Sequence, residues 1–265
     1  MRLYLASTSP ARRALLAQAG IDPVLVSPGV DEDAVGLAER DRLGRELTGP
    51  ELVALLAVAK ASAVADGAVT TAGPLDGFVF GGDSAFEVDG QLYGKPHDPA
   101  VARRRWRQML EAGGGTLWSG HCVIDRRAGG GPTVSGPGGA VTSGDGPPVR
   151  PVAGSGMSAG SDAVASLGAV APGGSALVTD GDRVVAVDSA VLTFADDVSP
   201  AEIDAYVATG EPLEVAGAFT IDGRAAAYIT RIDGAPSAVV GLSLPVLRSM
   251  LRTGFGIAWH DLWAL

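Results

Sequence analysis

Apolar and polar positions alternate with two periods along the chain, and the two periods predict different elements. Leu3-Tyr4-Leu5-Ala6 is a short apolar run, read as a strand over 2–6. It leads into Ser7-Thr8-Ser9-Pro10 and a helix over 10–19, with Ser9 at the N-cap, Pro10 at the first helical position and Gly20 as the stop. A second strand is expected over Pro23–Ser27. Gly49-Pro50 opens a helix from Glu51 to Ala65, in which Leu52, Leu55, Leu56 and Ala59 recur at helical spacing. Phe78-Val79-Phe80 reads as a buried strand ending at Gly81-Gly82-Asp83. Phe86-Glu87-Val88 and Gln91-Leu92-Tyr93 flank Asp89-Gly90, the pattern of a hairpin with a two-residue turn. Asp98-Pro99 caps a helix to about Glu111, and Ser119–Asp125 is a strand.

The pattern then lapses. From about 127 to 175 the chain is dominated by Gly, Pro, Ser and Ala, with little apolar periodicity, and is expected to be a disordered insert. Periodicity resumes at Ala176-Leu177-Val178, with a hairpin turning at Asp180-Gly181 into Val184–Phe194. Ser199-Pro200-Ala201-Glu202 has the residues of a capping box and starts a helix ending near Gly210. Phe219-Thr220-Ile221 and Ala227-Tyr228-Ile229, around Asp222-Gly223, suggest a third hairpin. Leu244–Leu251 is a last helix. This alternation predicts an α/β fold with a mixed sheet, formed as a single domain over 1–265 and interrupted only by the insert.

Composition narrows the function. The net charge is −10, from 20 basic and 30 acidic residues, which argues against nucleic acid or a membrane surface as partner. A small nucleotide remains compatible, because it needs only a local basic pocket. Cys122 is the single cysteine, so no intramolecular disulfide can form, and no secretory leader is evident. A cytoplasmic protein is expected.

Some residues stand out chemically. Ser7 and Ser9, with Arg12 and Arg13 on the first turn of the opening helix, form an anion-binding pattern. Asp83, after an apolar strand and two glycines, could hold a divalent metal or activate water, the glycines allowing a phosphate to approach. Asp31-Glu32-Asp33 could complete that metal site. Lys60 is a lone charge among alanines, and Lys95 is held extended by Pro96. Each alone has an ordinary reading as a capped helix, a turn aspartate, a solvated acidic loop or a surface lysine. Together they supply cations for phosphate oxygens and carboxylates for metal and water.

These motifs, in this order, resemble the Maf family of nucleoside triphosphate pyrophosphatases. The resemblance rests on Ser7-Thr8-Ser9-Pro10-Ala11-Arg12-Arg13, Val30-Asp31-Glu32, Ala57-x-Ala59-Lys60-Ala61, Gly81-Gly82-Asp83-Ser84 and Gly94-Lys95-Pro96-His97-Asp98. It continues through Glu202–Pro212, Ala216–Gly223 and Val239–Pro245, and the details look most like actinobacterial members. It implies a twisted mixed sheet with flanking helices around a central cleft, similar to inosine triphosphatases. It also implies hydrolysis of nucleoside triphosphates, non-canonical ones included, to the monophosphate and pyrophosphate. Asp83 would activate water with a divalent cation, Mg²⁺ or Mn²⁺, held by Glu32 and Asp83. Ser7, Ser9, Arg12, Arg13, Lys60, Lys95 and Asp222 would bind substrate. Three positions depart from the family pattern: Ala11 replaces an arginine, Ser84 a threonine, and Asp222 a glutamine near the base. A homodimer is left open. The alternatives are a nucleotide-binding regulator of cell division with weak catalysis, and a sugar-phosphate phosphatase.

Overall fold

A computed structural model describes residues 1–67, 69–70, 73–128, 150–151 and 161–264. The first half contains β1 (Leu3–Ala6), α1 (Pro10–Gln18), β2 (Val24–Val26), α2 (Glu32–Leu43) and α3 (Gly49–Asp66). It continues with β3 (Val69–Thr70), β4 (Gly73–Pro74), β5 (Phe78–Val88), β6 (Gln91–Tyr93), α4 (Pro99–Glu111) and β7 (Gly114–Asp125). The second half contains β8 (Arg150–Pro151), α5 (Ser161–Leu167), β9 (Ser175–Asp180), β10 (Arg183–Phe194) and α6 (Pro200–Ala208). It ends with β11 (Ile229–Asp233), α7 (Pro236–Val239) and α8 (Leu244–Phe255). Helix starts follow side-chain caps: Ser9, Asp31, Thr48, Asp98, Ser199 and Ser243 each accept from a backbone N–H of the first turn.

Nine strands form one mixed sheet in the order β2-β1-β5-β7-β10-β9-β8, with β6 on β5 and β11 on β10. The mixed α/β architecture expected from the sequence is therefore present. Three long antiparallel strands, β5, β7 and β10, make its centre. The outer edges of β5 and β10 are each shared by two short partners. On β5, residues Phe78–Gly81 pair with β1 and Phe86–Val88 pair with β6. On β10, Arg183–Asp188 pair with β9, and Val191–Phe194 pair with β11. The sheet thus forks at both edges, at Gly82–Ala85 and at Ser189–Ala190. Buried polar side chains collect at these forks: Asp83 and Ser119 near one, Asp188 and Ser189 at the other.

Helices cover both faces. α3 lies against β5 and β7 at backbone distance: a Cβ on Gly81 would lie 2.3 Å from the Ala57 carbonyl oxygen, and one on Gly120 2.0 Å from that of Val53. α1 and α8 cover the opposite face, where Leu16, Phe80, Leu247 and Leu251 are buried. Beyond the forks, α4 and α6 enclose an aromatic cluster of Phe86, Trp106, Phe194, Tyr206 and Phe219.

Several expectations are corrected. The strand expected to end at Asp83 continues to Val88, so Asp83 lies mid-strand. The third hairpin is absent among the described residues: 3-10 turns occupy Ala216–Ala218 and Arg224–Tyr228, and Ile229–Asp233 pairs with β10 instead. Gly217 and Ala218 at φ 75° and 65° break any strand there. The second hairpin forms, but its loop is Gly181-Asp182, one residue later than expected. The acidic run Asp31-Glu32-Asp33 is the start of α2 rather than a loop, with the Asp31 carboxylate capping Ala34 N–H at 3.0 Å. The insert expected to reach 175 includes α5, whose Val164 and Leu167 are buried in the core beneath α3. Its residues 129–149 and 152–160 lie outside the described residues.

Candidate active site

The site follows from the fork on β5. β1 ends opposite Gly81, where Ala6 is the last paired residue, and the chain turns away at Ser7 into α1. Among the described residues this leaves Asp83 and Ser84, paired with β7 on one side, without a partner strand on the other, beside the start of α1. Side chains alternate across a strand, so Gly81 and Asp83 face α3 while Gly82 and Ser84 face α1 and α8.

On the α3 side, Lys60 is buried and its Nζ lies 2.7 Å from Asp83 Oδ1 and 2.7 Å from Glu32 Oε1. One ammonium therefore joins two carboxylates from separate elements. Gly81 is what admits this helix: its missing side chain faces Ala57 and Ala61, one turn before and one residue after Lys60. The glycine pair expected to admit phosphate is therefore used differently. Gly81 accepts α3, and a Cβ on Gly82 would meet the Phe80 ring at 3.1 Å.

On the other side, the Arg12 guanidinium is buried and spans three segments. Its Nε donates to Gly241 O at 2.7 Å, Nη1 to Ser7 Oγ at 3.3 Å and Nη2 to Ser84 Oγ at 3.2 Å. A guanidinium has five N–H donors, so one remains on each terminal nitrogen. Ser84 Oγ lies 3.3 Å from Ser119 Oγ, which donates to Ala238 O at 2.8 Å. Ser243 N–H donates to His121 Nε2 at 2.9 Å, fixing the Gly241-bearing loop to β7.

Electrostatics follow from burial. Desolvation raises the Asp83 carboxyl above its ordinary value, opposed by the charges of Lys60 and Arg12. Desolvation lowers the Arg12 guanidinium, opposed by Asp83 and Glu32. Burial, then the Arg12 charge, takes His121 down to about 3, so it is a neutral hydrogen-bond acceptor at neutral pH. Burial pushes the Cys122 thiol up to about 12, which leaves it inert as a nucleophile.

Of the residues picked out in the sequence, Ser7, Arg12, Glu32, Lys60 and Asp83 converge on the fork. Ser9 caps α1 beside them, with Oγ accepting from Arg12 N–H. Arg13, Lys95 and Asp222 are exposed and make no ion pair with these groups among the described residues. Lys95 stands between β6 and α4 on a segment fixed by the His97 N–H to Leu213 O bond. Sequence reasoning missed the supporting set of Ser119, His121, Gly241 and Ser243. Only Val239-Val240-Gly241-Leu242-Ser243 carried a signal, as part of the family resemblance and with no role assigned to it.

The Maf-like protein family matches this chain at residues 2–137 and 163–254, leaving unmatched only 138–162 of the expected insert. The chain belongs to the Maf family. Among curated relatives, it is 44% identical to a nucleoside triphosphate pyrophosphatase of Leifsonia xyli subsp. xyli over 263 residues, covering 99% of this chain and 97% of the relative. It is 40% identical to the protein of the same description in Nocardia farcinica, covering 98% and 96%. The Streptomyces coelicolor protein of that description is 39% identical, covering 99% and 95%.

Proposed function

We infer that this protein is a nucleoside triphosphate pyrophosphatase, a hydrolase acting on an acid anhydride. One observation carries the reading: at an open sheet fork, a buried lysine joins two carboxylates within reach of a buried arginine, in a chain whose near-full-length relatives bear that description. The reaction takes a nucleoside triphosphate and water to the monophosphate and pyrophosphate. Water oxygen bonds to the α-phosphorus, the bond to the α–β bridging oxygen breaks, and pyrophosphate leaves with that oxygen. Asp83 takes the proton from water. Its burial makes it a better base than a solvated carboxylate, and the charges of Lys60 and Arg12 oppose that rise.

Lys60, the two remaining N–H groups of Arg12 and the start of α1 with Ser7 and Ser9 neutralise charge that grows on the phosphate oxygens. Arg13 and Lys95, exposed and unpaired among the described residues, approach the polyphosphate from the rim. Asp222, exposed after the Ala216–Ala218 turn, faces the base.

Glu32 and Asp83 would hold the divalent cation, Mg²⁺ or Mn²⁺. The fit rests on their carboxylates meeting at one ammonium, a point where the chain already places a cation. No group of three or more ligating side chains occurs among the described residues. Two carboxylates completed by phosphate and water oxygens is an ordinary Mg²⁺ arrangement. When bound, the ion would supply positive charge to the phosphate oxygens.

The buried, unpaired Cys122 supports the cytoplasm as location. Among the described residues, no helix is long and apolar enough to cross a membrane.

The test is turnover of a panel of canonical and modified triphosphates by metal-stripped protein, before and after Mg²⁺ or Mn²⁺ is restored. Hydrolysis only after restoration supports the reading. Nucleotide binding without hydrolysis under either condition would replace it with that of a binding regulator.

A further inference from the structure

At the far end of α8 from the fork, a groove of about 520 Å³ opens between that helix and the C-terminal segment. Arg248, Arg252, Ile257, Trp259, His260 and Trp263 line it. It shares no residue with the candidate active site. Ser243, at the N-terminal end of α8, belongs to that site's support, and twelve helical residues place the two ends about 18 Å apart.

The walls are fixed in place. Gly256 ends α8 with its N–H on Arg252 O, and Ile257 N–H bonds Leu251 O. Trp263 N–H bonds His260 O, and Ala264 N–H bonds Gly20 O at 2.8 Å, tying the tail to the end of α1. Leu262 and Ile257 are buried beneath. The Trp263 indole nonetheless remains 45% exposed, among the most exposed large apolar side chains of the molecule.

The charge is equally specific. The chain carries a net charge of −10, and several arginines elsewhere are met by carboxylates, as Arg45 by Glu51 and Arg127 by Asp125. Arg248 and Arg252, four residues apart on one helix face, have no carboxylate partner among the described residues. Asp261, the nearest acid in sequence, turns its carboxylate to Ala258 N–H at 3.1 Å and lies 3.7 Å from His260 Nε2.

We propose that this groove binds a phosphorylated aromatic compound of the nucleoside monophosphate class, with the ring on Trp263 and Trp259 and the phosphate between Arg248 and Arg252. Indole faces stack flat rings, and paired guanidinium groups match a phosphate dianion. The volume lies within the range of small-ligand sites. The lining alone carries this assignment, and it holds whether or not the chain hydrolyses triphosphates. If it does, the groove senses a product.

The experiment titrates the full chain with adenosine 5′-monophosphate, following tryptophan emission, beside the Trp263→Phe and Arg248→Gln/Arg252→Gln variants. Saturable quenching is expected in the unaltered protein. It should fall by at least half in Trp263→Phe, and binding should weaken at least tenfold in the double arginine variant. Adenosine and inorganic phosphate, each alone, should bind at least tenfold more weakly than the monophosphate. Equal binding of either one, or affinity unchanged in the arginine variant, overturns the proposal. So does displacement of the monophosphate by an unphosphorylated single-stranded oligonucleotide at equal nucleotide concentration, which would make nucleic acid the ligand. Both variants alter exposed side chains, so loss of fold does not confuse the result.

Discussion

Lys60 illustrates how much one side chain can settle. Its buried ammonium lies 2.7 Å from both Glu32 and Asp83 and ties the two carboxylates to α3. Removing Lys60 leaves the Asp83 carboxylate buried without its ammonium partner, while Glu32 is half exposed. Lys60→Ala should therefore lower stability by about 3–5 kcal/mol, measured by urea denaturation; a loss under about 1 kcal/mol would mean the pair is more solvated than its burial indicates. Asp83→Asn keeps shape but removes the base. It should cut kcat about 10²–10⁴-fold while the circular dichroism spectrum is retained. Activity near that of the unaltered protein would remove Asp83 from the chemistry. At this scale the sequence was partly legible. Arg12, Lys60 and Asp83 were conspicuous as charges next to apolar or glycine-rich segments. Ser119, His121 and Gly241 were not, because their role exists only once three distant segments meet around Arg12 and β7.

Helix α3 is the element that makes the site, and two of its features are testable. The first is its contact with the sheet. Gly81→Ala would push a methyl group toward Ala57 O, Ala61 N and the Ala61 methyl. A shift of α3 by that contact should cost about 1–3 kcal/mol and lower kcat, since Lys60 moves with the helix. Stability lost with full activity would show that Lys60 holds its position independently. The second is the start of α3. Glu51 accepts from Thr48 N–H at 2.9 Å and from Arg45 Nη2 at 2.7 Å. Hydrogen bonds from Arg45 chiefly, and from Thr48, hold its carboxyl down at about 2, below its ordinary 4.5. A carboxyl depressed in the folded state stabilises above its unfolded pKa, and that contribution fades as pH falls toward the folded value. Glu51→Gln should cost about 1–2 kcal/mol near neutral pH. The gap between variant and unaltered protein should narrow from about pH 4.5 down to about pH 2. A gap independent of pH would contradict the ionic origin.

Elements announced by caps were legible: α1, α4 and α6 start where their serine or aspartate signals lie. α2 was missed because it has almost no apolar stripe, with only Gly36 and Glu39 buried. Phe219–Ile221 read as strand because its apolar residues serve the aromatic cluster, while its backbone is bent by Gly217 and Ala218.

For the molecule as a whole, both faces of one sheet are buried and α5 inserts Val164 and Leu167 into the core under α3. We propose that the chain is a single domain interrupted by its low-complexity segment, which predicts one cooperative unfolding transition. Two separate calorimetric transitions would divide it. Leu167→Ala should destabilise that one transition by about 2–5 kcal/mol. The sheet's long strands were legible only in part, β5 as two pieces and β7 from Ser119 on, and its forks were not: they arise because β5 and β10 are each longer than their edge partners, a relation between strands distant in sequence.

The central claim is that the forked sheet hydrolyses a nucleoside triphosphate between its α and β phosphates. Phosphorus NMR of the products, with Mg²⁺ or Mn²⁺ present, tests it most directly. The account predicts nucleoside monophosphate and pyrophosphate in equal amounts from the unaltered protein, formed about 10²–10⁴-fold more slowly by Asp83→Asn. Nucleoside diphosphate with orthophosphate, or equal monophosphate yield from both proteins, would contradict it.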